Sequence, residues 1–352
     1  MSSGADRRLT YAGAGVSLDA KRDAFATLDA DLSSSDARVL SRSGAFASLF
    51  AANFPGYREP VLALKTEEPG SKQLLAARAG RFDGIARDLV NHLVNDVAVM
   101  GAEPLAVLDM IVCSRLDSGT VHGIIVELAA ACREQGCSLV GGETSEQPGV
   151  VADGAYVLSA SMVGVVERER IVDGTAIEAG DAVLAVASNG LHTNGYTLVR
   201  ALLERDAELA DRDVEGEPFL QAALRPHRSY RGLCLALRDL PVHGMAHVTG
   251  GGVRDNLARI LPEGTCADLD LGSFMIPSIF ALLRESGGID DREMLRVFNV
   301  GVGLVAVVPA ALEQEAVACA AATGDTAYRI GTIERAGGDG PSVRFGGRLR
   351  WR

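Results

Sequence analysis

The chain has 352 residues, a formal net charge of −12 and a sequence pI of about 5.0, with 47% hydrophobic and 23% charged residues. Two domains are the natural expectation for this length, and the acidity argues against nucleic acid as a partner. The N-terminus lacks a signal-peptide core and no apolar run of membrane-spanning length occurs, which predicts a cytoplasmic protein without membrane association.

The first half of the chain alternates between predicted helices and strands. Apolar spacing predicts helices at 21–40, 45–52, 83–100 and 120–135 after a polar arm at 1–20. Short apolar runs predict strands at 60–64, 105–113, 137–140 and 154–166. The polar stretch 167–180 then marks the expected boundary between an N-terminal domain, 1–170, and a C-terminal domain, 171–352.

The second half repeats the alternation. Strands are expected at 182–187, 242–248 and 298–308 and near the C-terminus, and helices at 196–204, 228–240, 254–260, 277–285 and 311–322. Residues 205–225 are acidic and irregular, which predicts a surface loop. The order indicates an α/β protein of the α+β layered kind rather than a Rossmann unit. The six cysteines show neither a CxxC pair nor zinc spacing and indicate a reducing compartment.

The stretch GCSLVGGETSEQPG joins a predicted strand to a glycine pair. Gly141 and Gly142 carry no Cβ and allow a ligand to approach the backbone closely. Glu143 and Thr144 follow at once, and a carboxylate there can hold a phosphate through a metal. The alternative is an ordinary glycine turn with solvated acids.

Polar residues also recur in the predicted helix 83–100. Asp88 and Asp96 return to the same helix face after two turns, with Asn95 beside them. Two carboxylates on one face can bind Mg²⁺ together with phosphate oxygens. The alternative is a solvated helix face.

The segment KTEEPGSK reads as a charged turn with phosphate-binding features. Gly70 and Ser71 offer donors, Lys72 a positive charge and Glu67 a metal ligand. It lacks the GxxxxGK[ST] pattern of a Walker motif, and a solvated turn is the alternative.

Three further loops hold candidate residues. His192 lies in SNGLHTNG and is suited to proton transfer, although a lone loop histidine is often incidental. Thr249, Gly250 and Gly251 follow a strand that carries His247, which we assign to the core or to a supporting position. Asn299 lies in FNVGVG. Both glycine runs suit anion binding or tight backbone packing.

Taken together, the motifs resemble the phosphoribosylformylglycinamidine cyclo-ligase (aminoimidazole ribonucleotide synthetase) family. The resemblance runs nearly end to end, through LTYAGAGVSLDA, DLVNHLVNDVAVMGAEPL, GCSLVGGETSEQPG, NGLHTNGYTLVR, HVTGGGVRDNLARILP and FNVGVG. It implies ATP-dependent cyclisation of formylglycinamidine ribonucleotide to aminoimidazole ribonucleotide, with release of ADP and phosphate, in purine synthesis. It also implies two α/β domains, the first forming a homodimer, and a cleft near the domain and subunit junction.

The resemblance also implies roles for individual residues. His192, Asp96 and Asn194 would act in catalysis. Mg²⁺ would be held by Glu67, Asp88, Asp96 and Glu143. ATP would be bound by Glu67, Gly70, Ser71, Lys72, Asn95, Gly141, Gly142, Glu143, Thr144, Thr249, Gly250, Gly251 and Asn299.

Two departures separate the chain from the family pattern. The family writes TDGVGTK where this chain has TEEPGSK at 66–72, and a glycine-rich turn where this chain has SRSGAF at 41–46. The first departure leaves open a nucleotide-binding paralogue without turnover. Another ATP-dependent enzyme of the superfamily, such as selenophosphate synthetase or thiamine-monophosphate kinase, is the second alternative; no cysteine precedes Cys113, which argues against the former.

Overall fold

Alternating and continuous apolar runs in the first half of the chain form one four-stranded sheet. The computed structural model describes residues 10–26, 28, 32, 34–41, 44–338 and 342–351. The strands are β1 (Pro60–Glu67), β2 (Glu103–Cys113), β3 (Ser138–Glu146) and β4 (Tyr156–Glu167), in the order β1-β4-β2-β3. β2 and β3 are parallel, and the other pairs are antiparallel.

Four helices accompany this sheet: α1 (Leu18–Phe25), α2 (Lys72–Arg78), α3 (Phe82–Ala98) and α4 (Ser118–Glu134). The apolar face of α3 is fully buried, with Leu89, Leu93 and Val94 each at 0% exposure. Burial of these side chains is the main stabilising contribution to this half.

The opposite face of the sheet has no covering helix among the described residues. Along β1 the exposed and half-buried residues alternate, as a strand requires. Large apolar side chains point outward, with Leu64 at 74% exposure. The others are Leu62, Leu108, Met110 and Val157.

The second half forms a six-stranded sheet. Its strands are β5 (Ala182–Ala187), β8 (Gly244–His247), β9 (Thr265–Asp270), β10 (Val302–Val308), β11 (Ala327–Arg335) and β12 (Ser342–Gly346), in the order β12-β9-β11-β5-β10-β8. A separate hairpin consists of β6 (Asp213–Val214) and β7 (Glu217–Pro218). The helices are α5 (Tyr196–Arg205), α6 (Phe219–Ala223), α7 (Arg231–Leu237), α8 (Gly252–Ala258), α9 (Ser278–Gly287), α10 (Asp291–Val297) and α11 (Glu313–Ala322). No helix among the described residues is both long and apolar enough to cross a bilayer.

The mixed α/β fold with two sheets confirms the expected fold class, but several local predictions are wrong. The stretch after Val140 is no loop, because β3 continues through both glycines in parallel register with β2. Lys65–Glu67 belongs to β1 rather than to a turn, since it pairs with β4. The segment 205–225 is not irregular: it contains the hairpin and α6, and Leu209 and Phe219 are fully buried.

The N-terminal predictions were also imperfect. Residues 45–52 form no helix. The backbone nitrogen of Leu40 donates to the oxygen of Leu49, and that of Ala51 donates to the oxygen of Arg38, in an extended arrangement. The expected helix at 21–40 is described only as α1 and a few turns, and residues 27, 29–31 and 33 lie outside the described part. Residues 42 and 43 of SRSGAF do so as well.

Candidate functional site

Helix α3 connects the two halves of the chain through its polar side. The Asn91 side chain donates to the backbone oxygen of His227 at 2.7 Å. Asn95 donates to the backbone oxygen of Arg228 at 2.8 Å and accepts from the backbone nitrogen of Tyr230 at 2.7 Å. Asn95 is fully buried, so it joins the halves and does not face a nucleotide as expected.

Two carboxylates converge on one lysine where β1 passes α3. Strand alternation directs Lys65 and Glu67 to the same face of the sheet, toward α3. The Lys65 ammonium lies 2.7 Å from Glu67 and 2.9 Å from Asp96. Burial lowers the pKa of Lys65, but hydrogen bonds to both carboxylates outweigh that effect and raise the pKa above its usual value.

Asp96 also holds a histidine. His247 Nδ1 lies 2.7 Å from Asp96 Oδ1. Burial would raise the pKa of Asp96, but the hydrogen bond from His247 and nearby positive charge hold this pKa well below its usual range. Because Asp96 is therefore ionised, Nδ1 of His247 is the donor in this hydrogen bond.

A second pair of predicted residues lies apart from this cluster. The Lys72 ammonium donates to Asp88 at 2.9 Å and to the backbone oxygens of His192 and Arg225. Both side chains are fully buried. Burial lowers the pKa of Lys72 and raises that of Asp88 to about 6.

This pair corrects two expectations. Lys72 has its donors engaged within the protein, so it cannot serve a phosphate in this arrangement. Asp88 lies two helical turns, about 12 Å along the axis, from Asp96, which is too far for both to bind one ion.

The turn after β1 faces the loop 193–197 of the other half. A Cβ at Gly70 would lie 3.0 Å from the backbone oxygen of Thr193, and Ser71 Oγ lies 3.3 Å from Thr197 Oγ1. Asn194 is half-buried, and its Oδ1 would be 3.5 Å from a Cβ at Gly250. The structure therefore brings together Gly70, Ser71, Asn194 and Gly250 at the junction.

The Thr249–Gly251 loop is held from within. Asn256 donates to the backbone oxygen of Gly250 at 3.1 Å and accepts from Thr249 Oγ1 at 3.1 Å. Gly251 has φ +87, and a Cβ there would lie 2.5 Å from Asp255. Glycine at 251 is therefore explained by the backbone conformation and the contact with Asp255. Gly250, in contrast, is exposed and accessible to a ligand.

The residues of β3 lie elsewhere in the chain. The sheet order separates β3 from β1 by two strands, or about 14 Å between the outer strands. Glu143 is exposed and pairs with Lys21 at 2.9 Å, and Thr144 is buried. Within one chain, these residues do not join Asp96.

The glycine pair in β3 also has a packing explanation. A Cβ at Gly142 would lie 2.0 Å from Asp109 Oδ1, and one at Gly141 would lie 2.6 Å from Ser48 Oγ. Both glycines therefore make room for neighbouring side chains rather than for a phosphate.

Asn299 is likewise internal. It is 4% exposed, donates to the backbone oxygen of Gly190 at 2.9 Å and accepts from the backbone nitrogen of Gly301 and the hydroxyl of Ser188. Its side chain fixes two loops, which corrects its assignment to the nucleotide.

A cleft of about 470 Å³ runs along β1 at the junction, and Lys65, Asp96 and His247 line it. His192 does not line the cleft: it is 2% exposed and stacks on His227 with ring centroids 4.0 Å apart. The site thus combines the predicted Glu67 and Asp96 with residues that the sequence analysis did not assign to it.

Sequence reasoning did not assign four residues of this region to the site, although it placed His247 in the core or in a supporting position. Lys65 had a usable signal, because it lies two positions before Glu67 in a strand and therefore shares its face. His92 lies one turn before Asp96 on α3 and was also detectable. His227 and His247 are brought there only by the packing of the second half against α3.

Comparison with known proteins identifies both halves of the chain. Residues 57–166 match the family model described as AIR synthase related protein, N-terminal domain. Residues 178–344 match AIR synthase related protein, C-terminal domain.

Curated relatives match over nearly the whole chain. A phosphoribosylformylglycinamidine cyclo-ligase of Paraburkholderia phymatum is 42% identical over 93% of this chain and 92% of its own length. One of Aromatoleum aromaticum is 43% identical over 93% and 94%, respectively.

Solved structures of lower identity share the fold. Thiamine-monophosphate kinase from Stenotrophomonas maltophilia superposes with a TM-score of 0.63 at 19% identity, covering 88% of this chain and 92% of that one. The hydrogenase maturation protein HypE in complex with ATP gives 0.63 at 18% identity, covering 86% and 85%.

Proposed function

The chain belongs to the phosphoribosylformylglycinamidine cyclo-ligase family, and from this membership we propose that it closes the imidazole ring of aminoimidazole ribonucleotide. It is an ATP-dependent C–N bond-forming ligase of purine biosynthesis that converts formylglycinamidine ribonucleotide and ATP to aminoimidazole ribonucleotide, ADP and phosphate. The identity of 42% over 93% of the chain is the observation that carries this function.

The reaction needs activation of an oxygen and one proton transfer. The formamide oxygen of the substrate attacks the γ-phosphorus of ATP, and ADP leaves. The amidine side then supplies the nitrogen that attacks the activated carbon, loses a proton and expels phosphate. Positioning and charge neutralisation are therefore the main tasks of the protein.

The residues present fit a magnesium ion. Glu67 and Asp96 already converge on one cationic group, the Lys65 ammonium, and carboxylate oxygens are ligands that Mg²⁺ prefers. We propose that these two carboxylates would hold Mg²⁺, which supplies positive charge for the phosphates of ATP. Glu67 keeps this role although the family carries aspartate there.

Lys65 and His247 are the chain's own groups for the chemistry. Lys65 lies in the cleft as a cation that can contact a phosphate once its carboxylates are otherwise engaged. Asp96 accepts a hydrogen bond from Nδ1 of His247 and fixes the orientation of this ring, which lines the cleft. His192 is then a positioning residue behind the cleft, and Asn194 and Gly250 offer polar contacts at its junction end.

ATP use is supported by the family and by the ATP complex of the similarly folded HypE. The altered turn at Glu68 and Pro69 is the feature that favours the second candidate, a nucleotide-binding paralogue without turnover. The intact Lys65–Glu67–Asp96–His247 arrangement favours the enzyme.

We further propose that the enzyme is a homodimer in the cytoplasm. The uncovered apolar face around Leu62, Leu64 and Met110 supports pairing of two sheets, since exposed apolar patches of this kind mark protein interfaces. All six cysteines are unpaired, which suits a reducing compartment.

A steady-state assay with formylglycinamidine ribonucleotide, ATP and Mg²⁺ tests the activity. We expect ADP and aminoimidazole ribonucleotide in equal amounts. Binding of ATP without either product would instead identify the paralogue, and the Glu68-Pro69 turn would then be the first segment to restore.

A further inference from the structure

Four of the chain's six histidines meet at one buried point beside α3. His92 comes from α3, His247 from β8, and His192 and His227 from loops of the second half. Ring centroids lie 4.0 Å apart for His192 and His227, 4.9 Å for His227 and His247, and 5.1 Å for His92 and His247. Neither the sequence motifs nor the proposed reaction requires such a cluster.

Three of these rings present nitrogens to a common centre. One nitrogen from each of His192, His227 and His247 lies within 4.8 Å of the others. Nε2 of His227 and Nε2 of His247 are 2.9 Å apart. Tetrahedral zinc with Zn–N bonds of about 2.0–2.1 Å spaces its ligand nitrogens by about 3.3 Å. Because the rings of His192 and His227 are stacked at 20° to each other, they must tilt apart for both to direct a nitrogen at one ion.

His192 gives a second, independent indication of a ligand. Both of its ring nitrogens lack a hydrogen-bond partner among the described residues, although the side chain is only 2% exposed. A buried imidazole without a partner is costly. Its backbone is also held at φ 59, in the left-handed region. A Cβ at Gly303 would lie 2.7 Å from its Cε1, so the glycine makes room for the ring.

The protonation states suit metal binding. Burial lowers the pKa of His192 and of His227 well below the usual value, so both rings are neutral. His247 donates from Nδ1 to Asp96, an arrangement common behind metal-bound imidazoles. Thr193 Oγ1 lies 3.3 Å from His227 Nδ1 and can accept its proton, which frees Nε2 for an ion.

We propose that His192, His227 and His247 form a binding site for one divalent transition-metal ion of the Zn²⁺ class. Neutral imidazoles favour Zn²⁺, Co²⁺, Ni²⁺ and Cu²⁺, whereas Mg²⁺ prefers oxygen ligands. His247 is the ligand of this site that lines the cleft. The site goes beyond the cyclo-ligase activity, and its three ligands differ from the proposed Mg²⁺ ligands Glu67 and Asp96, although Asp96 is hydrogen-bonded to His247.

Metal titration without nucleotide or substrate tests the site, so its result is independent of activity. The full-length protein, free of any tag and stripped with a chelator, is titrated with Co²⁺, followed by its visible absorption. Zn²⁺ affinity is then measured by competition with a chromophoric chelator. We expect saturation at one Co²⁺ per chain, displacement by Zn²⁺, and no displacement by excess Mg²⁺.

Variants locate the ion. His227→Gln and His192→Gln should each weaken Zn²⁺ binding at least ~100-fold, since each removes one ligand. His122→Gln and His243→Gln, outside the cluster, should bind as the wild type does. Circular dichroism verifies that each variant is folded. If the cluster variants do not fold, the Co²⁺ titration of the wild-type protein alone tests the proposal. A folded wild type without a saturable Co²⁺ band, or an equal loss in His243→Gln, would overturn the proposal.

Discussion

Asp96 connects the two groups that define the candidate site. It accepts a hydrogen bond from His247 at 2.7 Å and forms an ion pair with Lys65 at 2.9 Å. Because both partners line the same cleft, loss of this one carboxylate affects an imidazole and a cation together. Few single substitutions in the chain offer such a direct test of the proposed chemistry.

We therefore expect Asp96→Asn to reduce turnover by at least ~10²-fold, because the amide removes charge that faces the metal and phosphates. Steady-state kinetics measures the effect. Asp83→Asn is the matched control, since Asp83 lies on the first turn of the same helix, outside the cleft, and forms an ion pair with Arg81 at 3.2 Å. Turnover near that of the wild type in Asp96→Asn would remove Asp96 from the site.

Glu67 tests the unusual turn. Glu67→Asp restores the residue typical of the family and should leave turnover within about tenfold, because the shorter carboxylate still supplies an oxygen ligand. Titration of activity with Mg²⁺ measures whether the metal requirement shifts. A much larger loss would mean that the neighbouring residues have adapted to the longer side chain.

The buried histidines predict how stability depends on pH. Burial lowers the pKa of His92 to about 4 and those of His192 and His227 well below normal. In the unfolded chain these rings have pKa values near 6.5. As the pH falls, the unfolded state therefore binds protons that the folded state does not, and the folded state loses stability. From about pH 7.5 to about pH 5.5, each of these rings should lower the free energy of unfolding by about 1 kcal/mol. Asp88 and Asp109 oppose this drop, because burial raises their pKa values to about 6 and about 7, and both carboxyls then take up protons in the folded state.

Denaturant unfolding at the two pH values measures this drop. His227→Gln should reduce the drop by about 1 kcal/mol, because one of three resisting groups is gone. His122→Gln should leave it unchanged, since His122 is outside the cluster. A drop in His227→Gln as large as that of the wild type would show that the His227 ring accepts protons in the folded state.

At the scale of elements, β3 shows how a glycine pair can be misread. Gly142 lies beside Asp109 of β2 in the parallel register. Gly142→Ala should destabilise the protein by ~2 kcal/mol, because a Cβ would lie 2.0 Å from Asp109 Oδ1 and 2.6 Å from its backbone oxygen. Thermal unfolding measures the loss.

Gly123→Ala provides the contrast for this variant. Gly123 lies inside α4 with no atom within 4 Å of an added Cβ. Alanine there should be neutral or stabilising by up to ~1 kcal/mol, because glycine is a poor helix former. If Gly142→Ala were as stable as Gly123→Ala, the packing explanation of the glycine pair would be wrong, and ligand binding at Gly141 and Gly142 would again be the better interpretation.

The periodic elements were the predictable ones. Helix α3, strand β2 and strand β5 follow from apolar patterns in the sequence, with bounds within a few residues. Strand β9 and helix α10 were missed. Glu67 and Asp96 could be assigned to a site because carboxylates near glycines suggest metal binding. The pairing of Lys72 with Asp88 could not be predicted from the sequence. It depends on packing that buries two residues 16 positions apart in contact with each other.

At the scale of the whole molecule, the uncovered sheet face predicts assembly. Leu64→Arg, at a position with 74% exposure, should convert the proposed homodimer to monomers, because a charge would be buried in its interface without a partner. Light scattering after gel filtration measures the mass. Met275→Arg, at an exposed apolar residue of the second half, should leave the mass unchanged. A wild-type monomer would contradict the proposed dimer.

The contacts of α3 with the second half also determine how this protein can be recombined. Asn91 and Asn95 bond to the backbone at 227, 228 and 230, and Asp96 bonds to His247. A chimera that joins the first half of one homologue to the second half of another keeps these contacts only if the backbone at 227–230 holds the same position and residue 247 is histidine. Exchange should therefore succeed only when α3 is transferred together with the 225–247 segment, even though the two lie in different halves of the gene.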